Sequence, residues 1–223
     1  MPVNIEKYKE ITAELIKKKV TLIAVSKTKP NEDIAELYDL GQRHFGENYV
    51  QELVDKQAAL PKDIRWHFIG HLQSNKVKYI APFVYLIHGV DSLKLLLEIN
   101  KQASKCGRVI DCLLQVHIAR EETKFGMDAS EISEVFSKIG ELENVRICGL
   151  MGMASLSGDM EMVRAEFKQL KNLFNKCSEW SVVSGAFWFL SMGMSGDYKI
   201  AVEEGSTMVR IGSLLFGARE YPE

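Results

Sequence analysis

The chain has 223 residues, 46% hydrophobic and 26% charged, which is enough to bury a full core and too apolar for a disordered polymer. Its net charge of -2 gives no electrostatic ground for a nucleic acid or an anionic membrane as partner. Cys106, Cys112, Cys148 and Cys177 form no CxxC pair and no metal-ligand spacing, so they read as reduced, mostly buried thiols and no metal site is expected. The N-terminus lacks the apolar core of a signal peptide and no apolar run reaches spanning length, so a soluble, cytoplasmic protein is expected.

Along the chain, an amphipathic helix is expected over about 5–17, ending in Lys17, Lys18 and Lys19, whose cations suit a helix C-terminus. A first strand follows at Val20 to Ser26, an apolar, β-branched run that must stop before Pro30. Further short apolar runs lie at His44 and Phe45, Trp66 to Ile69, Phe83 to His88, Val109 to Ile118, Val145 to Met151, Trp188 to Met192 and Met208 to Ile211. Helical patterns separate them. One spans Ser92 to Ala103, with Asp91 as N-cap and Cys106 and Gly107 closing it. Another runs from Met160 to Cys177, with Val163, Phe167, Leu170 and Phe174 on one face.

Strands joined by helices of this length need parallel crossovers, and eight such units predict an α/β protein, a single (β/α)8 TIM barrel with an extra N-terminal helix. An open doubly wound sheet is the alternative from pattern alone, although no GxGxxG follows the first strand. With no repeat, low-complexity tract or linker, one domain is expected over 1–223.

In a barrel, chemistry gathers where strands end. Lys27 ends the first strand there, and an amine held at the mouth of a buried strand can lose its proton and attack an aldehyde. Solvation of a strand end is the alternative for a lysine in isolation. Residues 193–197 (GMSGD) and the pair Gly212 and Ser213 each turn from a strand toward a helix, exposing backbone N–H groups and a hydroxyl that suit a phosphate. Such turns also occur merely to reverse the chain. Arg210 lies within an otherwise apolar strand and needs an acceptor, either a ligand or an ion pair with Glu203 or Glu204.

Residues 24–30 (AVSKTKP), 45–52 (FGENYVQE), 67–76 (HFIGHLQSNK), Leu150 and Met151, 191–195 (SMGMS), 205–212 (GSTMVRIG) and 216–219 (FGAR) resemble, in order, the pyridoxal phosphate homeostasis protein family. That family is a relative of the alanine racemase barrel and binds pyridoxal 5'-phosphate without a robust catalytic activity. The resemblance implies that Lys27 carries the aldehyde as a Schiff base, Arg210 faces the pyridine nitrogen, Ser195 and the Gly212 region hold the phosphate, and Asn48 lies beside the ring. The residues themselves ask for the same three features, an aldehyde, a phosphate and an acceptor for a buried arginine.

A carrier is favoured over an enzyme. An arginine against the ring nitrogen leaves that nitrogen unprotonated and the ring a poor electron sink. Racemisation needs a second acid-base group, which related racemases take from an additional β domain. The sequence ends at Glu223, just after the eighth unit, and no such domain is expected. The expected function is therefore intracellular homeostasis of pyridoxal phosphate by a monomer, with dependent apoenzymes as recipients. A racemase of the alanine racemase type is the alternative, and a Schiff-base aldolase acting on a phosphorylated sugar is a third reading. Among the remaining candidates, His67 reads either as a hydrogen-bonding group of the pocket or as a satisfied core histidine, Tyr49 as a residue packed at a helix start rather than a second-face base, Gln73, Asn75 and Lys76 as residues that fix a loop at the mouth, and Lys124 as a solvated surface residue, with a second amine near the entrance as the alternative.

Overall fold

β1 (Thr21–Val25) pairs in parallel with β2 (His44–Glu47) on one side and β8 (Met208–Ile211) on the other, so the sheet has no free edge. Between them run β3 (Arg65–Phe68), β4 (Leu86–Val90), β5 (Ile110–Val116), β6 (Val145–Gly152) and β7 (Phe189–Met194), each parallel to its neighbours. This is a closed eight-stranded barrel, as the alternation of short apolar runs with helices predicts. The computed structural model describes residues 3–120, 125–179 and 187–217.

Strand periodicity sorts the apolar residues into two cores. Ile23, Leu86, Leu113, Cys148, Met151 and Met208 form the cluster inside the barrel. The larger cluster, including Ala24, Phe45, Trp66, Ile87, Leu114 and Val209, lies between the sheet and the helices. Those helices are α1 (Ile5–Lys17), α2 (Asn31–Asp39), α3 (Val50–Ala59), α4 (Val77–Ile80), α5 (Leu93–Lys105), α6 (Ala129–Lys138), α7 (Met160–Ser178), α8 (Tyr198–Glu203) and α9 (Ser213–Phe216). α1 is the extra N-terminal element. Asn4 caps it by accepting from Lys7 N, donates its own N–H to Leu215 O at 2.8 Å, and so ties the start of the chain to its last described helix.

Of the boundaries that differ from the sequence expectation, three have a visible cause. Gly46 and Glu47 continue β2 rather than follow it: a side chain at position 46 would sit 2.9 Å from Ile23 Cγ2, and Glu47 Oε1 is held by Ser26 Oγ and the buried Lys56 Nζ. β4 begins at Leu86, since the turn after α4 still holds Val84 N on Ile80 O at 2.9 Å. Ser92, not Asp91, caps α5: its extended backbone directs Oγ to accept from Leu95 N at 3.3 Å, while Asp91 Oδ2 meets His71 Nδ1 at 2.9 Å.

Candidate functional site

At the C-terminal ends of the strands, Lys27, Asn48, Ser195, Arg210 and Gly212 line one cavity of about 400 Å³. The five residues selected from sequence therefore come together, against a wall that includes Val25, Ile69, Met153 and Phe216. Its ionisable lining residues, among those described, are Lys27, Lys29 and Arg210, all basic. A cavity of this size with apolar walls and a few convergent polar groups suits a small anionic ligand.

Lys27 follows β1 and is half-buried. The residues on either side of it are held from behind by charged groups of β2 and α3. Lys56 Nζ donates to Ser26 O at 2.7 Å, to Glu47 Oε1 at 2.8 Å and to Glu52 Oε1 at 2.6 Å. Ser26 Oγ donates to Glu47 Oε1 at 2.7 Å, and Thr28 N donates to Glu52 Oε1 at 2.6 Å. Thr28 has φ of +64°, a left-handed conformation disfavoured for a β-branched residue, and the Glu52 bond offsets part of that strain. Burial pushes Glu47 up to about 7, against the opposing pull of Lys56 and of the Ser26 hydroxyl.

Arg210 is held by neutral groups instead. Nη1 donates to Ser191 O at 2.8 Å and Ser191 Oγ at 2.7 Å, and Nη2 donates to Gly152 O at 3.0 Å. Burial lowers Arg210 to about 10, with Asp197 opposing the shift. The ion pair offered as an alternative does not form: Glu203 and Glu204 bind Arg164 instead, at 2.7 and 2.5 Å. Three of the five guanidinium N–H groups are spent on fixed acceptors, and the side chain still lines the cavity.

The two glycine-serine turns meet, as Gly212 N donates to Ser195 Oγ at 3.3 Å. Gly193 has φ of +92°, and a Cβ there would lie 2.5 Å from that of Ala201, so the chain can turn this tightly only with glycine. At Gly212 a Cβ would approach Val25 O to 3.2 Å, which keeps the backbone itself at the cavity wall. α8 has six residues and α9 four, too short for a large macrodipole. Any phosphate held here is held by local N–H groups and hydroxyls. Asn48 Oδ1 is buried without a hydrogen-bond partner at the edge of the same cavity.

The model of the alanine racemase N-terminal domain matches residues 4–220. The pyridoxal phosphate homeostasis protein of Aquifex aeolicus is 46% identical over 202 residues, covering 90% of this chain and 87% of that protein. The chain belongs to the pyridoxal phosphate homeostasis protein family. Among solved structures, PipY of Synechococcus elongatus superposes with a TM-score of 0.89 without pyridoxal phosphate and 0.86 with it bound, at 37% identity over 95% of this chain and 99% of that one. Alanine racemase from Streptomyces coelicolor gives a TM-score of 0.75 at 13% identity over 98% of this chain and 60% of that one, a likeness of fold alone.

Within this member of the pyridoxal phosphate homeostasis protein family, the other candidates fall into place as follows. His67 is fully buried and bonded to two other histidines, which matches the core reading of the two left open by the sequence. Tyr49 precedes α3 but is 58% exposed rather than packed. Ser74–Lys76 form a 3-10 turn after β3, with Lys76 N bonded to Gln73 O at 2.9 Å. Lys124, like Ala218 and Arg219, lies outside the described residues. Cys112, Cys148 and Cys177 are buried free thiols and Cys106 is exposed. No helix of the described residues is long and apolar enough to cross a membrane. Lys56, Glu52, His88 and Ser191 were not selected from sequence. A usable signal exists for the histidines: His44, His67 and His88 recur at separations of 23 and 21 residues, about one strand-helix unit each, and so fall on the successive strands β2, β3 and β4, each two residues further along the register than the last.

Proposed function

We propose that this chain binds pyridoxal 5'-phosphate in the cavity at the barrel mouth, with the Lys27 amine as the point of covalent attachment, and holds it without turnover. The observation that carries this reading is the convergence of an amine, a buried arginine and two linked glycine-serine turns on one cavity of about 400 Å³. When bound, the cofactor brings an aldehyde that condenses with an amine with loss of water, a phosphate, and a pyridine nitrogen. The residues fit these groups. Asn48 Oδ1, buried and unpartnered, marks a polar group that a ligand has to satisfy. The basic lining complements a phosphate, and the remaining donors of Arg210 suit a neutral acceptor.

In this reading Ser195, Gly212 and the neighbouring backbone hold the phosphate, Arg210 donates toward the ring nitrogen, Asn48 lies beside the ring, and Lys27 is presented by its pinned turn. The cavity lining supports holding over racemisation: among the described residues it offers no carboxylate, phenol or imidazole as a second proton carrier, only the Lys29 amine two residues from Lys27. A single copy of the chain contributes every one of these groups, so a monomer of one domain suffices. Delivery to pyridoxal-phosphate-dependent apoenzymes in the cytoplasm is the partnership this implies.

The test is titration of the purified chain with pyridoxal 5'-phosphate, followed by incubation with L-alanine. Saturable one-to-one binding with a visible absorbance change, and no D-alanine above that formed by free cofactor, is expected. Absence of binding, or catalytic formation of D-alanine, would overturn the reading.

A further inference from the structure

Three imidazoles stand in single file through the barrel interior. Arg65 Nη1 lies 3.2 Å from His44 Nε2, and His44 Nδ1 lies 2.8 Å from His67 Nε2. His67 Nδ1 lies 2.8 Å from His88 Nε2, and His88 Nδ1 lies 2.9 Å from Ser191 Oγ. Ser191 Oγ in turn accepts from Arg210 Nη1, so the file runs from an exposed arginine at the start of β3 to the arginine of the cavity. Burial pushes His67 and His88 well below the ordinary imidazole range, and burial with the nearby Arg65 lowers His44 to about 4. All three are neutral near pH 7.

A neutral imidazole has one donor and one acceptor nitrogen. In a file, the tautomer of one ring therefore fixes the others: every proton sits on Nδ1 and points toward Ser191, or every proton sits on Nε2 and points away. The two ends compete. Arg65 can only donate, which favours a bare Nε2 on His44; the Ser191 hydroxyl needs an acceptor, and of its two side-chain partners Arg210 cannot be one. With Nδ1 protonated throughout, the Ser191 proton is stranded in the interior without an acceptor, the costlier way to leave a polar group. With Nε2 protonated throughout, the mismatch moves to Arg65, which is exposed, so water can take its place beside His44.

We propose that His44, His67 and His88 are positioning residues for Arg210: all three carry their proton on Nε2, and His88 Nδ1 accepts the Ser191 hydroxyl, leaving the Ser191 oxygen as an acceptor for Arg210. Both hydrogens of Nη1 are then spent on Ser191 and one of Nη2 on Gly152, which fixes the guanidinium plane. The consequence for ligand binding rests on the cofactor reading given above; the tautomer order does not.

Nitrogen-15 NMR of the full, ligand-free chain near pH 7 tests the order, with each histidine assigned from its single His→Gln variant. Neutral, Nε2-protonated rings are expected for all three; an Nδ1-protonated or doubly protonated ring at any of them overturns the proposal. The functional arm measures binding of pyridoxine 5'-phosphate, which lacks the aldehyde and so bypasses Lys27. His88→Leu is expected to weaken it about tenfold, and His88→Gln, whose amide oxygen can accept the Ser191 hydroxyl, to recover most of that loss. Unchanged affinity in His88→Leu, or no recovery in His88→Gln, overturns the positioning role. Should His88→Leu fail to fold, the spectrum of the unmodified chain still decides. A wild-type chain that binds neither phosphate compound contradicts the cofactor reading alone.

Discussion

Lys27 and Arg210, which line the cavity from the neighbouring strands β1 and β8, are held in opposite ways. The turn carrying Lys27 is gripped by charges, with Lys56, Glu47 and Glu52 bonded to the residues on either side of it. Arg210 is gripped only by neutral oxygens, two of Ser191 and one of Gly152. The difference suits the roles proposed for them. A nucleophilic amine needs the backbone that presents it to be fixed. A permanent cation facing a ligand keeps its charge for that ligand when no carboxylate neutralises it.

The largest effect expected from breaking this contrast is at Lys27. Lys27→Ala removes the amine but none of the supporting bonds, so covalent attachment of pyridoxal phosphate disappears completely while thermal stability stays near wild type, read by absorbance and by melting. Lys56→Met attacks the charged grip. It leaves Glu47 buried without its cation, and is expected to destabilise the fold by about 3–5 kcal/mol in denaturant titration. Retained stability there would mean that the cluster contributes little to holding the Lys27 turn.

Ser195→Ala is a smaller change on the phosphate side. Loss of one hydroxyl that accepts from Gly212 N and lines the cavity is expected to weaken pyridoxine phosphate binding by roughly tenfold, in line with a hydrogen bond to a charged group. The neutral grip is sharpened by pH. His44, His67 and His88 have depressed folded-state values, so the unfolded chain takes up protons that the folded chain refuses. Stability is therefore full above about 6.5 and falls as the pH drops toward 4. Glu47 acts in the opposite sense, since its raised value lets the folded state hold an extra proton between about 4.5 and 7. Three imidazoles outweigh one carboxyl, so the net is a loss of stability on acidification by about two protons. Glu47→Gln removes the opposing contribution and is expected to steepen the acid limb slightly in melts taken between pH 7 and pH 4.5.

The barrel was legible because each strand is a short apolar run and each helix has its own periodicity, both local properties of the chain. The mouth residues were legible because strand ends are marked by glycine, proline and polar residues, which place Lys27, Ser195 and Gly212 without knowledge of any contact. The supports were not. Lys56 lies 30 residues from Ser26, and its i, i+4 spacing with Glu52 reads as an ordinary exposed helix pair; burial of that pair follows only from where α3 packs. Ser191 and His88 are 103 residues apart and look like unremarkable strand residues until the barrel closes. Asp91 misled for a related reason: aspartate is a good cap in isolation, but here its carboxylate is taken by His71 across the mouth.

Borohydride reduction of the protein mixed with pyridoxal 5'-phosphate, followed by peptide mapping, tests the assignment of the reactive amine most directly, because Lys29 lines the same cavity and offers an internal competitor. A pyridoxyl group on Lys27, in stoichiometric yield and lost in Lys27→Ala, is the expected result. A pyridoxyl group on Lys29 with Lys27 unmodified, or labelling scattered over surface lysines, would contradict it.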